Sequence, residues 1–390
     1  MALFSTCQDV VQASRSSEFV TGASVLAAVE ALTGVFCLFV GLRYGSKEAQ
    51  LPRYAHFMAW AALAGAFVWF TVLKRIGFDR EIQLATDCLT QNALKAQSAV
   101  WFAVFAIFRP ISVILFSIGK SVPLLRLFDI CNISHGSKRR KITRATRRAV
   151  AAMFTINIVA ITISGWWNVA TRIKLFNMYS NDAKLLCETT ATQAFEDATA
   201  AVSYESSLSD RLFGVSAICF SVLNVCVFFM YLIAIVKTRR TMAALLRSVA
   251  AQAQIDDDGT SAMSRQGSIH KFNSLKSFIY RTYAMMFVLF IALIYRTLHT
   301  AMIGVGMTVG SKPGCDGRCA SCQNPSYVLA AIMQFSTANL VSMGMLDEVF
   351  STLFGIWGML PNDRLQSSKP AGNKEVLHNS LHIAQASSLL

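Results

Sequence analysis

The hydropathy of the chain rises and falls in long segments. Apolar runs of about 20 residues, the length with which an α-helix crosses a hydrocarbon core of about 30 Å, recur along the chain. Seven such runs are found, near 19–42, 54–73, 96–119, 149–171, 212–236, 278–308 and 327–345. The pattern therefore predicts an all-α integral membrane protein that forms a seven-helix transmembrane bundle.

The connections between these runs differ in charge, and this difference predicts the orientation. Three connections are rich in lysine and arginine: 43–53, 120–148 and 237–281. The connection 172–211 is acidic instead. Because connections rich in Lys and Arg stay in the cytoplasm, the alternation predicts an N-terminus outside the membrane and a cytoplasmic C-terminus.

The same boundaries divide the chain into three parts. Residues 1–18 form an extracytoplasmic N-terminus, 19–360 form the bundle, and the polar, Ser-rich stretch 361–390 forms a disordered cytoplasmic tail. Within the bundle, the apolar segment 349–360 ends just before Pro361. It is predicted either as an interfacial helix on the inner leaflet or as an extension of the seventh span.

Composition supports the membrane interpretation. Hydrophobic residues make up 54% of the chain and charged residues only 15%, against roughly 25% charged residues in soluble domains. The net charge of +14 is not evidence for nucleic acid, because it lies mainly in the connections assigned to the cytoplasm. The predicted partner is the lipid bilayer, whose anionic inner leaflet attracts such charges. The plasma membrane is the expected location, with other endomembranes as the alternative.

Three charged residues fall inside the apolar runs. Glu30, Arg109 and Arg296 each lie roughly 16 to 20 Å below the predicted outer end of their helix. A charge at this depth is unfavourable unless it pairs or faces water. The three residues form either a buried ion pair that fixes helix packing or a pocket in which two guanidinium groups bind an anionic group of a small or lipid-like ligand.

Three further residues are predicted near the same depth in the membrane as these charges. Asn157, Tyr295 and His299 are predicted to line the same ligand pocket, with aromatic walls and few polar anchors. The alternative for His299 is a packed wall residue. The sequence shows no P-loop, zinc-protease or hydrolase motif, so an enzyme, a resident metal and a cofactor are not predicted.

The predicted topology separates the cysteines by side of the membrane. Cys88 precedes the third span and Cys187 follows the fourth, so a disulfide between them would hold the connecting loop over the mouth of the bundle. Other extracytoplasmic cysteines are Cys7, Cys315, Cys319 and Cys322. Local disulfides are the preferred interpretation of the last three, and a zinc or iron–sulfur site is the alternative.

Several of these features together resemble the architecture of G-protein-coupled receptors: seven spans, an outside N-terminus, the placement of Cys88 and Cys187, basic second and third inner connections, and a candidate inner-leaflet helix. The resemblance covers the topology of nearly the whole chain rather than sequence motifs. It implies a receptor-like signalling protein with a ligand pocket that faces outside and a cytosolic signalling partner at the basic inner connections. The alternatives are a transporter or channel whose path is lined by the intramembrane charges, and a non-signalling membrane scaffold.

Overall fold

The computed structural model describes residues 17–44, 50–133, 137–188, 192–257, 262–310 and 343–360. Within these ranges the chain is helical, and no strand occurs. The helices are α1 (Ser17–Tyr44), α2 (Gln50–Leu84), α3 (Cys88–Ile133), α4 (Ser137–Asn181), a short 3-10 helix (Leu185–Cys187), α5 (Gln193–Asp257), α6 (Ala262–Gly310), a π-helix (Met343–Phe350) and α7 (Ser351–Met359).

Five of these helices are long and apolar enough to cross a membrane. The candidate spans are Glu18–Tyr44, Leu51–Leu84, Cys88–Leu124, Gln193–Val236 and Tyr280–Thr308. The fourth predicted run, 149–171, lies within the continuous helix α4 but contains the polar residues Asn157 and Asn168, and it is not among the five. Most of the seventh run, 327–345, lies outside the described residues. The described chain is thus a helical, membrane-embedded protein, and the count of seven spans and the orientation stay predictions.

Helices α1 and α2 run antiparallel. Glu30 lies against Gly65 and Gly41 lies against His56, so residue numbers rise on α1 as they fall on α2. A Cβ atom added at Gly41 would lie only 2.8 Å from the His56 ring. The small residue therefore lets the two helices approach closely, which is how van der Waals contact holds helices together inside a membrane.

Helices α5 and α6 approach even more closely. A Cβ atom added at Gly214 would lie 2.9 Å from the carbonyl oxygen of Gly304, and one added at Gly304 would lie 3.0 Å from that of Gly214. The two backbones therefore touch at this level. Further along the pair, Ser221 Oγ donates a hydrogen bond to the carbonyl oxygen of Thr297 at 3.1 Å.

Several helices extend past their apolar runs. Helix α5 has 65 residues, which corresponds to a length of about 98 Å and exceeds any bilayer thickness. The predicted connection 120–148 is mostly helical, because α3 continues to Ile133 and α4 begins at Ser137. The predicted connection 237–281 is also mostly helical, since α5 ends at Asp257 and α6 begins at Ala262. A fall in hydropathy marks where a helix leaves the apolar region and not where it ends.

The last described segment, 343–359, runs through the bundle. Met345 packs near one end against the cluster of Phe19, Ala23 and Leu26 on α1. Near the other end, a Cβ atom on Gly358 would touch Met285 of α6 at 2.6 Å. The segment therefore runs parallel to α1 and antiparallel to α6. Its Ser351, Thr352 and Met359 side chains are fully buried. The assignment of 349–360 to an interfacial helix or to an extension of the seventh span stays a prediction.

Candidate functional site

Glu30 is buried between α1 and α2 near the middle of the bundle. Its exposed fraction is 0%, and its Oε1 atom accepts a hydrogen bond from Trp69 Nε1 at 2.8 Å. The neighbouring Gly65 provides the space, because a Cβ atom there would overlap Glu30 Oε2. The contact between these two helices is thus built around a carboxyl group.

An ion pair joins α6 to the π-helix at the same level. Arg296 Nη1 donates a hydrogen bond to Glu348 Oε1 at 2.8 Å, and the side chains are only 7% and 14% exposed. The guanidinium of Arg296 also lies 5.0 Å from the ring centroid of Phe220. A buried pair of this kind adds little net stability, but the loss of one partner leaves the other charge buried without compensation.

The carboxyl groups of Glu30 and Glu348 lie within hydrogen-bonding reach of each other. Arg296 interacts electrostatically with Glu30 in addition to its ion pair with Glu348. The three side chains therefore form one group of charges contributed by α1, α6 and the π-helix, with Trp69 of α2 beside it. We call Glu30, Arg109, Arg296 and Glu348 the central cluster, because Arg109 also interacts electrostatically with Arg296 and Glu348.

Arg109 has a different environment from Arg296. Its guanidinium carbon lies 3.9 Å from the ring centroid of Phe213 and 5.6 Å from that of Phe105. Its close contacts within the described ranges are thus aromatic rather than acidic. It lines a narrow cleft with room for about one water molecule. The other lining residues are Pro110, Val113, Ile161, Ser216, Ala217 and Phe220.

The structure brings the three charged residues of the sequence prediction together. Glu348 joins them although sequence reasoning missed it, because the predicted seventh span ends at Met345, before Glu348. Its presence corrects the expected excess of guanidinium groups, since the cluster contains two carboxyl groups and two guanidinium groups. A signal in the sequence could have identified Glu348: the segments on both sides of Asp347 and Glu348 are apolar.

The other predicted pocket residues have different positions. The rings of Tyr295 and His299 stack along α6 with centroids 6.3 Å apart, and His299 is buried. Asn157 is half-buried on α4, one turn before Ile161, which lines the Arg109 cleft. These positions are compatible with pocket walls but do not define a ligand.

A disulfide closes one end of the bundle. Cys88 and Cys187 are bonded, with their Cα atoms 5.7 Å apart, as the sequence predicted. Asn92 Nδ2 donates a hydrogen bond to the carbonyl oxygen of Ala183 at 3.2 Å, which fixes the same loop to α3. We call this the disulfide end of the bundle. The predicted partners Cys7, Cys315, Cys319 and Cys322 lie outside the described residues.

A second charged group near the disulfide end was not predicted. Arg172 Nη2 contacts Asp210 Oδ1 at 3.2 Å, and Lys174 forms an ion pair with Glu205. Both pairs join α4 to α5. The guanidinium of Arg172 lies 3.7 Å from the ring centroid of Phe102, and that of Arg75 lies 4.4 Å from the same centroid. We call the two ion pairs the α4–α5 clamp.

Two tyrosines connect the helices on the side of the central cluster away from the disulfide end. Tyr54 of α2 donates a hydrogen bond to the carbonyl oxygen of Ser351 at 3.2 Å, and Tyr231 of α5 donates one to the carbonyl oxygen of Lys120 at 2.5 Å. Gly355 makes the first contact possible, since a Cβ atom there would overlap the Tyr54 hydroxyl oxygen. The Tyr54 hydrogen bond thus holds the segment 343–359 to α2, next to the central cluster on the side away from the disulfide end.

Comparison with known proteins identifies no relative. No protein-family model matches the chain, and no curated protein or solved structure matches it significantly. The functional interpretation therefore depends on the geometry of the site.

Proposed function

We propose that the chain is a receptor-like seven-helix signalling protein. In this proposal the disulfide end faces outside, an anionic group of a small or lipid-like ligand binds at Arg109, and the central cluster transmits the change toward the basic helix ends. The observation that carries the proposal is the position of Arg109. It lines a cleft, its close contacts are aromatic, and it lies within electrostatic reach of the ion pair between α6 and the π-helix.

The chemistry of Arg109 favours an anionic ligand group. A guanidinium surrounded by apolar side chains is stabilised by a carboxylate or phosphate, to which it donates paired hydrogen bonds. The cleft is too narrow for such a group unless α3 and α5 separate near Ser216 and Phe220. Binding would therefore favour a state in which these helices are further apart, and a ligand shifts an equilibrium by its differential affinity for the two states.

The central cluster supplies the connection to the other end of the bundle. An anion at Arg109 changes the electrostatic balance around Arg296 and Glu348, where a low dielectric makes charge interactions strong. The segment that carries Glu348 also packs on Met285 of α6 and on Tyr54 of α2. A cytosolic partner is proposed to bind the helical extensions of α5 and α6, which contain eight of the 36 lysine and arginine residues.

Anionic and neutral amphiphiles of the same acyl chain test this proposal. Purified protein in nanodiscs is titrated with oleate, lysophosphatidic acid and monoolein, and binding is measured from the shift in melting temperature. Oleate or lysophosphatidic acid should bind, and Arg109→Gln should weaken binding by at least about tenfold, because a hydrogen bond to a charged group contributes about 1.5–3 kcal/mol. Arg211→Gln, at an exposed arginine of α5, is the control. Equal binding by monoolein, or equal binding by the Arg109 variant, contradicts the proposal.

A transporter or channel is the second candidate, and the two carboxyl groups in mid-bundle favour it. The two functions differ in water access to the Arg109 cleft. A cysteine introduced as Ser216→Cys, in a background without other free cysteines, can be treated with an impermeant thiol reagent from either side of oriented vesicles. A receptor predicts labelling from the disulfide end alone. Labelling from each side in turn supports transport.

A further inference from the structure

We infer that Glu30 and Glu348 together form a proton-binding site, in which Glu30 carries one proton on Oε2 and donates it to Glu348. The inference concerns the central cluster only and does not depend on a ligand or on a signalling partner. It assigns a chemical role to the buried carboxyl group of α1, which the proposed anion site at Arg109 does not use.

The surroundings of Glu30 give the first reason. Oε1 accepts the Trp69 hydrogen bond, whereas Oε2 is buried and has no hydrogen-bond donor among the residues that the structure describes. Ser112 is close by, but its hydroxyl group donates to the carbonyl oxygen of Ala61 at 3.0 Å. A buried carboxylate oxygen without a donor is unfavourable, so Oε2 is better placed as the oxygen that carries a proton.

The contact with Glu348 gives the second reason. Two carboxylates carry no donor between them and repel each other, so a hydrogen bond between them requires one proton. Glu348 Oε1 accepts the hydrogen bond from the charged guanidinium of Arg296. Glu30 receives only a neutral indole donor. The proton therefore belongs on Glu30, and the shared hydrogen bond satisfies Oε2.

The groups that face this proton come from four other elements. Helix α2 contributes the neutral Trp69, α3 contributes Arg109, α6 contributes Arg296, and the π-helix contributes Glu348. With Glu30 protonated the cluster holds one carboxylate and two guanidinium groups. When Glu30 releases its proton to water, a second carboxylate becomes available to Arg296. Arg296 can then pair with Glu30 on α1 as well as with Glu348 on the π-helix. Proton binding at Glu30 therefore changes how strongly α6 is held to each of these two elements.

Infrared spectroscopy of the purified full chain tests the assignment directly. At neutral pH the wild-type protein should show the C=O stretching band of a protonated carboxylic acid, and this band should shift in D₂O. Glu30→Gln should remove the band. Glu18→Gln, which changes an exposed glutamate on the same helix, should leave it unchanged. Absence of the band in the wild type, or its persistence in Glu30→Gln, would overturn the inference.

Thermal stability provides a second measurement. In the Glu30→Gln variant, the new side-chain amide can accept from Trp69 and donate to Glu348, as the protonated acid does. The melting temperature of this variant at neutral pH should therefore match the wild type, and its dependence on pH should be weaker. If Glu30 were instead an ionised partner of Arg296, Glu30→Gln would lower the melting temperature or prevent folding. Either result would refute the shared proton, while the amphiphile titration with Arg109→Gln would still test the receptor proposal separately.

Discussion

The central cluster and the α4–α5 clamp both contain two acidic and two basic residues, but they connect the bundle differently. The clamp joins neighbouring helices of one hairpin, and parts of it are open to the surroundings, since the Lys174 side chain is 58% exposed and that of Asp210 is 32% exposed. The central cluster is buried and joins α1, α3, α6 and the π-helix, which are far apart along the chain.

The clamp therefore holds two neighbouring helices together, whereas the central cluster couples four elements to one another. Each pair of the clamp joins one residue of α4 to one residue of α5, and Arg75 of α2 interacts electrostatically with Arg172 and Asp210. A change in one pair therefore acts within this end of the bundle. In the central cluster, Arg296 and Glu348 share their interactions with Glu30 and Arg109. A change at one member alters the partners of the others, and such shared interactions are non-additive in mutational tests. Three substitutions measure the contrast.

The largest effect is expected for Glu348→Ala. Removal of this carboxylate leaves Arg296 buried without its ion pair, and the loss of one partner of a buried pair typically costs 3–5 kcal/mol, so we expect about 3 kcal/mol here. The measurement is the melting temperature of the purified protein in one detergent. Glu196→Ala, at an exposed glutamate of α5, is the control and should change little.

Glu30 and Glu348 both interact with Arg296, so a double variant provides a further test of the coupling. Glu30 can release its proton and become the partner of Arg296, which would reduce the cost of Glu348→Ala. The double variant Glu30→Gln, Glu348→Ala should therefore be less stable than the sum of its single changes. Simple additivity would mean that the cluster is a set of separate pairs, like the clamp.

The next effect is expected for Gly65→Ala, which adds a methyl group at a position where its carbon would overlap Glu30 Oε2. Helices α1 and α2 must separate or Glu30 must turn away, and overpacking of this kind typically costs about 1–3 kcal/mol. Gly77→Ala on the same helix is the matched control, because nothing lies within 4 Å of its Cβ position.

Thermal unfolding of both glycine variants checks this. Gly77→Ala should be neutral or slightly stabilising, since alanine is favoured over glycine in a helix interior by about 1 kcal/mol. Equal melting temperatures for the two variants would show that the space beside Glu30 is not needed. Substitutions near the central cluster would then cost as little stability as those expected in the clamp.

The sequence predicted the parts of this structure that leave a hydropathy signal. The first six apolar runs fall within α1 to α6, and the charges within these runs identified Glu30, Arg109 and Arg296 as members of one layer. Glu348 was missed because two acidic residues in succession after an apolar run resemble a membrane surface. Only the packing of Ser351 and Thr352 inside the bundle places Glu348 in its middle.

Other features could not be predicted because their signal is three-dimensional. Arg172 and Asp210 lie at the edges of predicted connections, where charges are ordinary, and their pairing depends on the register between α4 and α5. The helical extensions of α5 and α6 are polar, so hydropathy does not distinguish them from loops. The disulfide was predictable because Cys88 begins α3 and Cys187 follows α4, and the ends of these consecutive helices must meet.

The smallest effect is expected for Lys174→Met in the clamp. Glu205 is only 7% exposed, but Lys174 is 58% exposed, so solvent reaches this ion pair from the lysine side. Pairs that solvent screens contribute about 0.2–1 kcal/mol, because the long side chain also loses freedom. The melting temperature should fall slightly, and the fall should shrink at high salt, since salt screens exposed charges.

Lys184→Met, at an exposed lysine near the 3-10 helix, is the control for the loss of one positive charge. A loss as large as that of Glu348→Ala, insensitive to salt, would mean that the clamp is also a coupled, buried group, and the distinction between holding and coupling would fail.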